Sequence, residues 1–288
     1  MCALFKFFLL TFILSWVLWT AAAAVVGWDF SQSSGLALIS GFLYLLGVFA
    51  PALVALALTA HAQGRAGTLT LLRRTVQFPG SARWYLFAVG YFAIIKLAVA
   101  IIYRLAIGTW PAFDQTPWFI TIVATAISTP VQAGEEIGWR GYALPRLSSY
   151  VGLPVASLIL GVVWATWHLP FFLIAGVDKS GQSFPVYLLG TTALSVVMAW
   201  LYWRTNGSLM LTMLMHAAIN NTNIVPTRVA VSTNPWQLRT SLTAWITTTL
   251  LWGCAAYFLI QMRRSKLEQV DQPRRDMQEI APAQSTAT

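Results

Sequence analysis

The sequence predicts an all-α, polytopic membrane protein, a bundle of about eight transmembrane helices. The first observation is composition: 57% of the 288 residues are hydrophobic, 9% are charged, and the mean hydropathy is +0.65. A soluble domain has about 25% charged residues. The second is a set of apolar runs of about 20 residues, the length that crosses a hydrocarbon core of roughly 30 Å as a helix. Backbone polar groups in lipid are satisfied only in helices or closed barrels, and these runs are too long and continuously apolar for barrel strands.

Eight apolar stretches are predicted to cross the membrane. They occupy residues 4–26, 36–60, 84–107, 117–137, 153–176, 184–203, 208–227 and 241–262. The first could also be a cleaved secretory signal, because Lys6 precedes an apolar run that contains four consecutive alanines. That run, residues 7–26, is longer than the roughly 7 to 15 apolar residues of a signal peptide. We therefore expect it to be retained as a helix.

Lysine and arginine are distributed unequally between alternate loops. With both termini in the cytoplasm, 13 of them lie on the cytoplasmic side: Lys6, Arg65, Arg73, Arg74, Arg83, Arg140, Arg146, Arg204, Arg263, Arg264, Lys266, Arg274 and Arg275. The opposite loops hold Lys179, Arg228 and Arg239. Because positive residues concentrate on the cytoplasmic side, we expect a multi-pass protein of the cell (plasma) membrane with both termini cytoplasmic. Attraction to anionic lipid headgroups accounts for the net charge of +9 without nucleic acid.

The predicted organisation is one membrane domain followed by a tail. Residues 1–262 form the membrane domain. Residues 263–288 are too poor in apolar residues to pack, which predicts a disordered cytoplasmic tail. The two cysteines, Cys2 and Cys254, lie near opposite ends of the sequence and do not form a ligand cluster.

Two adjacent glutamates are the only acids of the sequence inside a predicted span. The other seven acids lie in loops or in the tail: Asp29, Asp114, Asp178, Glu268, Asp271, Asp276 and Glu279. Ionisable groups at membrane depth are costly and usually face the bundle interior or a water-filled cavity, so Glu135 and Glu136 are candidate functional residues. A salt-bridged pair that locks two helices together is the structural alternative.

Helical spacing separates the roles of these two glutamates. Glu136 and Arg140 are four residues apart with the acid nearer the N-terminus, the favourable orientation for an ion pair on one helical face. Glu135 points about 100° away, which leaves it unpaired and free to act as a general base in a partly desolvated cavity. Three glycines flank the pair: Gly134, Gly138 and Gly141. They either allow a neighbouring helix to approach or leave room for a substrate.

Two of the three histidines lie inside apolar helices. His168 and Glu135 are 33 residues apart around a turn near residues 150–151, so in an antiparallel helix pair they lie at the same depth. His216 is in a later span, and Asn220 follows it by four residues on the same helical face. The structural alternatives are a hydrogen-bonded core histidine in each case, and an interhelical hydrogen bond for Asn220.

These polar residues fall in three short motifs. The motifs are EEIGWR at Glu135 to Arg140, WATWH at Trp164 to His168, and HAAIN at His216 to Asn220. The set resembles the EExxxR, aromatic-xxx-His and HxxxN motifs of the CPBP family, also called the ABI family, of intramembrane proteases, which includes the type II CAAX prenyl endopeptidases. Trp164 stands where phenylalanine is commoner in that family. The motifs span about 86 residues, within a motif core at about 117–227.

The resemblance implies an endopeptidase that hydrolyses a peptide bond of a membrane-associated substrate. By analogy with the family, Glu135 takes a proton from a water that His168 helps to hold, and His216 and Asn220 donate hydrogen bonds to the oxyanion. The other residues of the implied site are Glu136, which with Arg140 shapes it, and Trp164, which supports it. The implied partners are the bilayer and a substrate that is either a CAAX-type prenylated protein, which needs a lipidated tail, or a bacteriocin or leader-like peptide.

Three alternatives remain open from the sequence. A zinc-dependent protease would use Glu135 or Glu136 with His168 and His216 as ligands. Against it, Asn220 is a poor zinc ligand and no HExxH helix occurs in the sequence, so we prefer the interpretation without a cofactor. A proton-coupled transporter would use the same acids and histidines as a relay, but such transporters often have internal repeats, which are not evident here. A non-catalytic immunity or scaffold protein would use the same fold to bind a partner.

Overall fold

The computed structural model of the chain is built from helices. It describes residues 2–31, 35–226 and 234–280, with side chains described up to residue 263. Within these residues there is no strand, and one isolated bridge joins Asp29 to Ala175. The all-α prediction is confirmed.

Ten α-helices, three 3-10 turns and one π-helix make up the helical content of the described residues. The α-helices are α1 Cys2–Val25, α2 Ala37–Arg73, α3 Ala82–Ile107, α4 Trp118–Ser128, α5 Ala133–Glu136, α6 Leu144–Val151, α7 Leu153–Trp167, α8 Phe184–Arg204, α9 Leu209–Asn221 and α10 Leu242–Ile280. The 3-10 turns are Arg74–Val76, Pro130–Gln132 and Leu169–Phe172, and the π-helix is Ile137–Ala143.

Five helices in the described part of the chain are long and apolar enough to cross a membrane. They are α1, α2 with its 3-10 extension, α3, α8 and the Leu242–Arg263 part of α10. The other three predicted spans are interrupted, because continuous α-helix covers only 11 residues in α4, 15 in α7 and 13 in α9. At about 1.5 Å per residue, α9 rises about 20 Å, less than a hydrocarbon core of roughly 30 Å. The polytopic membrane class is confirmed, with five full-length spans by this measure instead of about eight.

The C-terminal part of the chain is described only in part. The backbone of α10 continues as a helix to Ile280, past the start of the predicted tail at residue 263. Residues 281–288 lie outside the described residues. Disorder of the tail stays a prediction.

The predicted span at 117–137 belongs to a nearly continuous helical path from Trp118 to Val151. The path leaves the α-helical pattern first at Pro130, which has no backbone N–H to donate to the preceding turn. It leaves the pattern again in the π-helix Ile137–Ala143, which directly follows the two glutamates and in which every residue is buried. π-Helical segments are rare and often occur at functional sites.

The glycines that flank the two glutamates serve close helix packing. A Cβ atom on Gly138 would lie 2.5 Å from Pro51 Cβ and 2.7 Å from the Pro51 carbonyl oxygen. A Cβ atom on Gly134 would lie 3.0 Å from the Phe49 ring and 3.1 Å from the Val48 carbonyl oxygen. Of the two predicted uses, approach of a neighbouring helix is the observed one for these two glycines, and the neighbour is α2.

The helices alternate in direction, so the bundle has two ends. At one of them Arg74 Nη1 donates a hydrogen bond to the Tyr202 hydroxyl over 2.6 Å, and Ser208 Oγ donates to the Gln77 carbonyl oxygen over 2.7 Å. These bonds join the end of α2, the end of α8 and the start of α9. We call this the basic end, because the lysines and arginines there are Lys6, Arg65, Arg73, Arg74, Arg83, Arg146, Arg204 and Arg263.

The opposite end is formed by the longer connections, and we call it the loop end. The Phe184 amide donates to the Pro235 carbonyl oxygen over 2.8 Å, which joins the start of α8 to the segment before α10. The Phe30 amide donates to the Ala175 carbonyl oxygen over 3.1 Å, which joins the segment after α1 to the one after α7. The loop end therefore gathers the segments after α1 and α7 and before α8 and α10.

Asp114 ties two further connections together at the loop end. Its carboxylate accepts hydrogen bonds from the Thr116 amide over 2.9 Å and from Asn223 Nδ2 over 3.0 Å. The backbone and side-chain hydrogen bonds from Thr116, with that from Asn223, hold the pKa of this exposed carboxyl below its ordinary value. The segment between α3 and α4 is thereby fixed to the segment after α9.

Candidate active site

A cavity of about 440 Å³ lies within the bundle. Five residues singled out from the sequence line it: Glu135, Trp164, His168, His216 and Asn220. They come from α5, from α7 and its C-terminal end, and from α9. The structure therefore brings the three sequence motifs together around one space.

Glu136 and Arg140 lie behind the cavity wall, and both side chains are fully buried. Glu136 Oε1 accepts hydrogen bonds from Arg140 Nη1 over 2.7 Å and from His216 Nδ1 over 2.9 Å. Arg140 Nη2 also lies 3.4 Å from Met198 Sδ. The predicted ion pair between Glu136 and Arg140 is confirmed, and it extends to the histidine of the third motif.

Glu135 is not the unpaired carboxylate that helical spacing predicts. Trp164 Nε1 donates a hydrogen bond to Glu135 Oε2 over 2.6 Å, and the carboxylate is buried. The prediction was wrong on this point because spacing within one helix contains no information about a donor 29 residues away on another. The hydrogen bond fixes one carboxylate oxygen, Oε2, and does not involve Oε1.

Both site histidines use Nδ1 for a structural hydrogen bond. His168 Nδ1 lies 2.9 Å from the Trp164 carbonyl oxygen, and His216 Nδ1 lies 2.9 Å from Glu136 Oε1. Carbonyl and carboxylate oxygens only accept, so both Nδ1 atoms carry hydrogen. In the neutral form each imidazole then has a lone pair on Nε2, and only the imidazolium form can donate from that atom.

The turn that the sequence predicts near residues 150–151 lies between α6 and α7. α6 ends at Val151, Gly152 adopts a positive φ of 76°, and α7 begins at Leu153. Glu135 and His168 thus reach the cavity from segments on either side of this turn. The predicted meeting of the two residues at one depth is consistent with their shared cavity lining.

The end of α9, which bears Asn220, is held by two contacts that the sequence did not single out. Asn221 Nδ2 donates to Ser128 Oγ over 2.8 Å, which joins α9 to α4. Lys96 Nζ is buried in α3 and donates to the Val225 carbonyl oxygen over 3.0 Å, just beyond α9. The sequence signal for this contact was the lysine in the middle of an otherwise apolar span. Asn220 itself lines the cavity and is exposed to it.

The candidate zinc ligands are the two glutamates, Glu135 and Glu136, and the two site histidines, His168 and His216. In the part of the chain that the structure describes, no three His, Cys, Asp or Glu side chains come close enough to hold a metal ion. The predicted zinc ligands have other contacts: Glu135 accepts from Trp164, and Glu136 accepts from Arg140 and His216.

A buried carboxylate and two imidazoles thus line one cavity inside a helical membrane bundle. This places the chain among membrane proteins with ionisable groups at membrane depth. Residues 115–222 match the family model described as Rce1-like, type II CAAX prenyl endopeptidase Rce1-like. All seven candidate residues from Glu135 to Asn220 fall within this segment. The resemblance predicted from the three motifs is confirmed over these residues.

A curated relative supports the same assignment over a similar length. A protein of Methanococcus maripaludis described as CAAX prenyl protease 2 is 29% identical to this chain over 92 residues. The match covers 30% of this chain and 34% of the relative. The chain therefore spans about a third of the length of the curated relative that it matches.

Proposed function

We propose that this protein is an intramembrane endopeptidase that hydrolyses a peptide bond of a membrane-associated substrate. The observation that supports this function best is the cavity on which Glu135, His168 and His216 converge from three helical segments. Ionisable groups at membrane depth are rare and mark functional sites. The match of residues 115–222 to an endopeptidase family model adds independent support.

In the proposed mechanism Glu135 is the general base. Its Oε2 is fixed by Trp164, so Oε1 takes a proton as water attacks the carbonyl carbon of the scissile bond. His168 holds the water by accepting a hydrogen bond at Nε2, because its Nδ1 already donates to the Trp164 carbonyl oxygen. Glu135 then passes the proton to the leaving nitrogen as the C–N bond breaks.

His216 and Asn220 stabilise the oxyanion of the tetrahedral intermediate. His216 donates from Nε2 only as an imidazolium, and Glu136 next to its Nδ1 offsets that positive charge. Arg140 donates to the same Glu136 oxygen over 2.7 Å and is a second positive partner of that carboxylate. Asn220 supplies its side-chain amide from one helical turn further along α9. Removal of one oxyanion donor typically costs about 10²- to 10³-fold in turnover.

We propose that the reaction needs no metal. The support is the engagement of Glu135 and Glu136 with Trp164, Arg140 and His216, which leaves no three-ligand cluster among the described residues. Cleavage is expected to persist after treatment of the purified protein with a chelator. Loss of cleavage on chelation, with recovery on addition of Zn²⁺, would contradict the metal-independent mechanism.

The proposed substrates are a CAAX-type prenylated protein or a bacteriocin or leader-like peptide. The first is supported by the similarity to a type II CAAX prenyl endopeptidase model and to a CAAX prenyl protease. Both are supported by the polar cavity within an apolar bundle. The proposed location is the plasma membrane with both termini in the cytoplasm, supported by the clustering of arginines and lysines at the basic end.

A matched pair of variants tests the proposed function. Glu135→Gln keeps the hydrogen-bond acceptor for Trp164 but removes the base, so we expect kcat to fall by about 10²- to 10⁴-fold. Asp178→Asn changes an exposed carboxylate that lines the same cavity, and its turnover should match that of the parent. The measurement is cleavage by purified protein of a prenylated CaaX peptide and of an unmodified leader-like peptide. Equal cleavage by Glu135→Gln and the parent would contradict the proposed endopeptidase function. Unchanged biological activity of that variant would favour a non-catalytic scaffold.

A further inference from the structure

The charges of the membrane domain are divided sharply between its two ends. Among the described residues up to 263, the basic end has eight lysines and arginines and no acid. Of the loop-end residues that the structure describes, which exclude 227–233, the charged ones are Asp29, Arg104, Asp114, Asp178, Lys179 and Arg239, three acids and three bases. The loop end is thus close to neutral, while the basic end has the charge that the cytoplasmic face of a membrane protein typically has.

The cavity belongs to the loop end. Its walls include the start of α8 at Val186 and Gly190, the start of α10 at Ala244 and Thr248, and the end of α9 at Asn220. Its rim is made by the connections at the same end, through Asp178, Lys179, Gln182, Ser183 and Thr240. No lysine or arginine of the basic end is among its lining residues in the described part of the chain.

The rim and the deep part of the cavity differ in exposure. The Asp178 side chain is 43% exposed at the rim, and Asn220 is exposed as well. Glu135, Trp164 and His216 are buried at the deep end. The path from water to the candidate base therefore runs from the loop end inward.

We propose that the substrate enters this site from the non-cytoplasmic face of the membrane. The proposal rests on the proposed function and on two independent observations. Lysines and arginines cluster at one end of the bundle, as they do on the cytoplasmic side of membrane proteins, and the residues that form the cavity rim belong to the opposite end. The substrate class is then a peptide, or a segment of a membrane-anchored protein, that is presented on the outer surface. Of the two proposed substrates, this side of entry fits the leader-like peptide and not a CAAX-type tail on the cytoplasmic side.

The chemistry of the walls fits a peptide better than a bare lipid chain. Polar side chains occur at successive levels of the cavity below the outer rim: Gln132, Thr191, Thr247 and Thr248. Hydroxyl and amide groups can exchange hydrogen bonds with a peptide backbone, whereas an acyl or prenyl chain offers none. Apolar side chains such as Leu194 and Leu251 lie between them and can contact the side chains of the substrate.

Thiol accessibility in intact cells tests the side of entry without any need for a substrate. In a Cys254→Ala background, Thr240→Cys and Gln182→Cys place single reporters on the rim, and neither residue is part of the proposed catalytic machinery. The native Cys2, which is exposed at the basic end, is kept as an internal reporter in one set and replaced in the other. Ser149→Cys, on an exposed residue of α6, is a second reporter for the basic end.

The expected result is that a membrane-impermeant maleimide labels the rim cysteines in intact cells, whereas Cys2 and Ser149→Cys react only after permeabilisation. The reverse pattern would overturn the proposal, as would rim cysteines that react only after permeabilisation. Cleavage by each purified variant in detergent is measured separately. If a variant cleaves normally but its rim cysteine is not labelled from outside the cell, the proposed side of entry is wrong and the proposed function is unaffected. Outside labelling in a protein whose Glu135→Gln variant cleaves as fast as the parent refutes the proposed function alone.

Discussion

Trp164 contacts four other residues of the candidate site. Its Nε1 donates to Glu135 over 2.6 Å, and its carbonyl oxygen accepts from His168 over 2.9 Å. Its ring lies 4.3 Å from the Arg140 guanidinium carbon and 5.2 Å from the His216 ring. Phenylalanine, which is commoner at this position in the family that the motifs resemble, keeps a ring but has no N–H. The orientation of the Glu135 carboxylate in this chain therefore depends on a donor that tryptophan supplies.

Trp164→Phe tests that dependence. A hydrogen bond to a charged group contributes about 1.5 to 3 kcal/mol, so we expect kcat to fall roughly 10- to 100-fold if the bond orients the base throughout the reaction. KM should change much less, because the substrate contacts are kept. The measurement is steady-state cleavage by purified protein, with kcat and KM determined separately.

Trp16→Phe is the matched control for this variant. Trp16 Nε1 donates to the Trp167 carbonyl oxygen over 2.9 Å, so the control also loses an indole N–H donor, but from a residue of α1 that does not line the cavity. We expect a stability loss of about 1 kcal/mol and a kcat close to that of the parent. A Trp164→Phe variant with the kcat of the parent would show that the indole N–H does not position the base.

At the scale of elements, hydropathy predicts the long helices and misses the breaks. α1, α3 and α8 follow the predicted spans closely because a run of apolar residues is sufficient to define a crossing helix. α2 and α10 begin within one residue of their predicted spans but continue as helix to Arg73 and Ile280. The predicted span at 153–176 ends as α-helix at Trp167, since Pro170 cannot donate to the helical ladder. The π-helix at Ile137–Ala143 has no signal in composition, because it is determined by what packs around it.

Gly138→Ala tests the packing of the π-helix on α2. The new Cβ would lie 2.5 Å from Pro51 Cβ and 2.7 Å from the Pro51 carbonyl carbon. Proline and backbone atoms cannot turn aside, so the two segments must separate. We expect a loss of stability of about 1 to 3 kcal/mol, seen as a lower midpoint of thermal unfolding in detergent.

Gly253→Ala is the control for the packing prediction. A Cβ at this exposed position of α10 meets nothing within 4 Å, so the midpoint should stay unchanged or rise slightly because alanine favours helix over glycine. Equal midpoints for Gly138→Ala and Gly253→Ala would contradict close packing of the π-helix against α2.

At the scale of the whole molecule, the sequence predicts which residues meet but not how they bond. Spacing within one helix was enough to predict the pair of Glu136 and Arg140, confirmed at 2.7 Å. Contacts between helices, including the bond from Trp164 to Glu135, could not be predicted from the sequence, because they depend on the rotation and depth of each helix. Rotation and depth are determined by packing of the entire bundle, which no single motif contains.

Burial in the bundle explains why the ionic groups Glu136, Arg140 and His216 lie together. Glu136 and Arg140 are fully buried, and isolated charges in such a place would be very costly. Their direct bond, with His216 as a third member, offsets that cost and holds one cavity wall in a fixed geometry. In the proposed mechanism the buried ion pair therefore supports the cavity wall, and the cavity-lining Glu135 is the general base.

The most direct test of this assignment is the fate of water oxygen during cleavage. The purified protein is incubated with a prenylated CaaX peptide or a leader-like peptide in H₂¹⁸O, and the products are weighed by mass spectrometry after a single turnover. The proposed mechanism predicts one ¹⁸O atom in the new carboxyl terminus with the parent protein and no labelled product above background with Glu135→Gln. Labelled product formed by Glu135→Gln at the rate of the parent would contradict it.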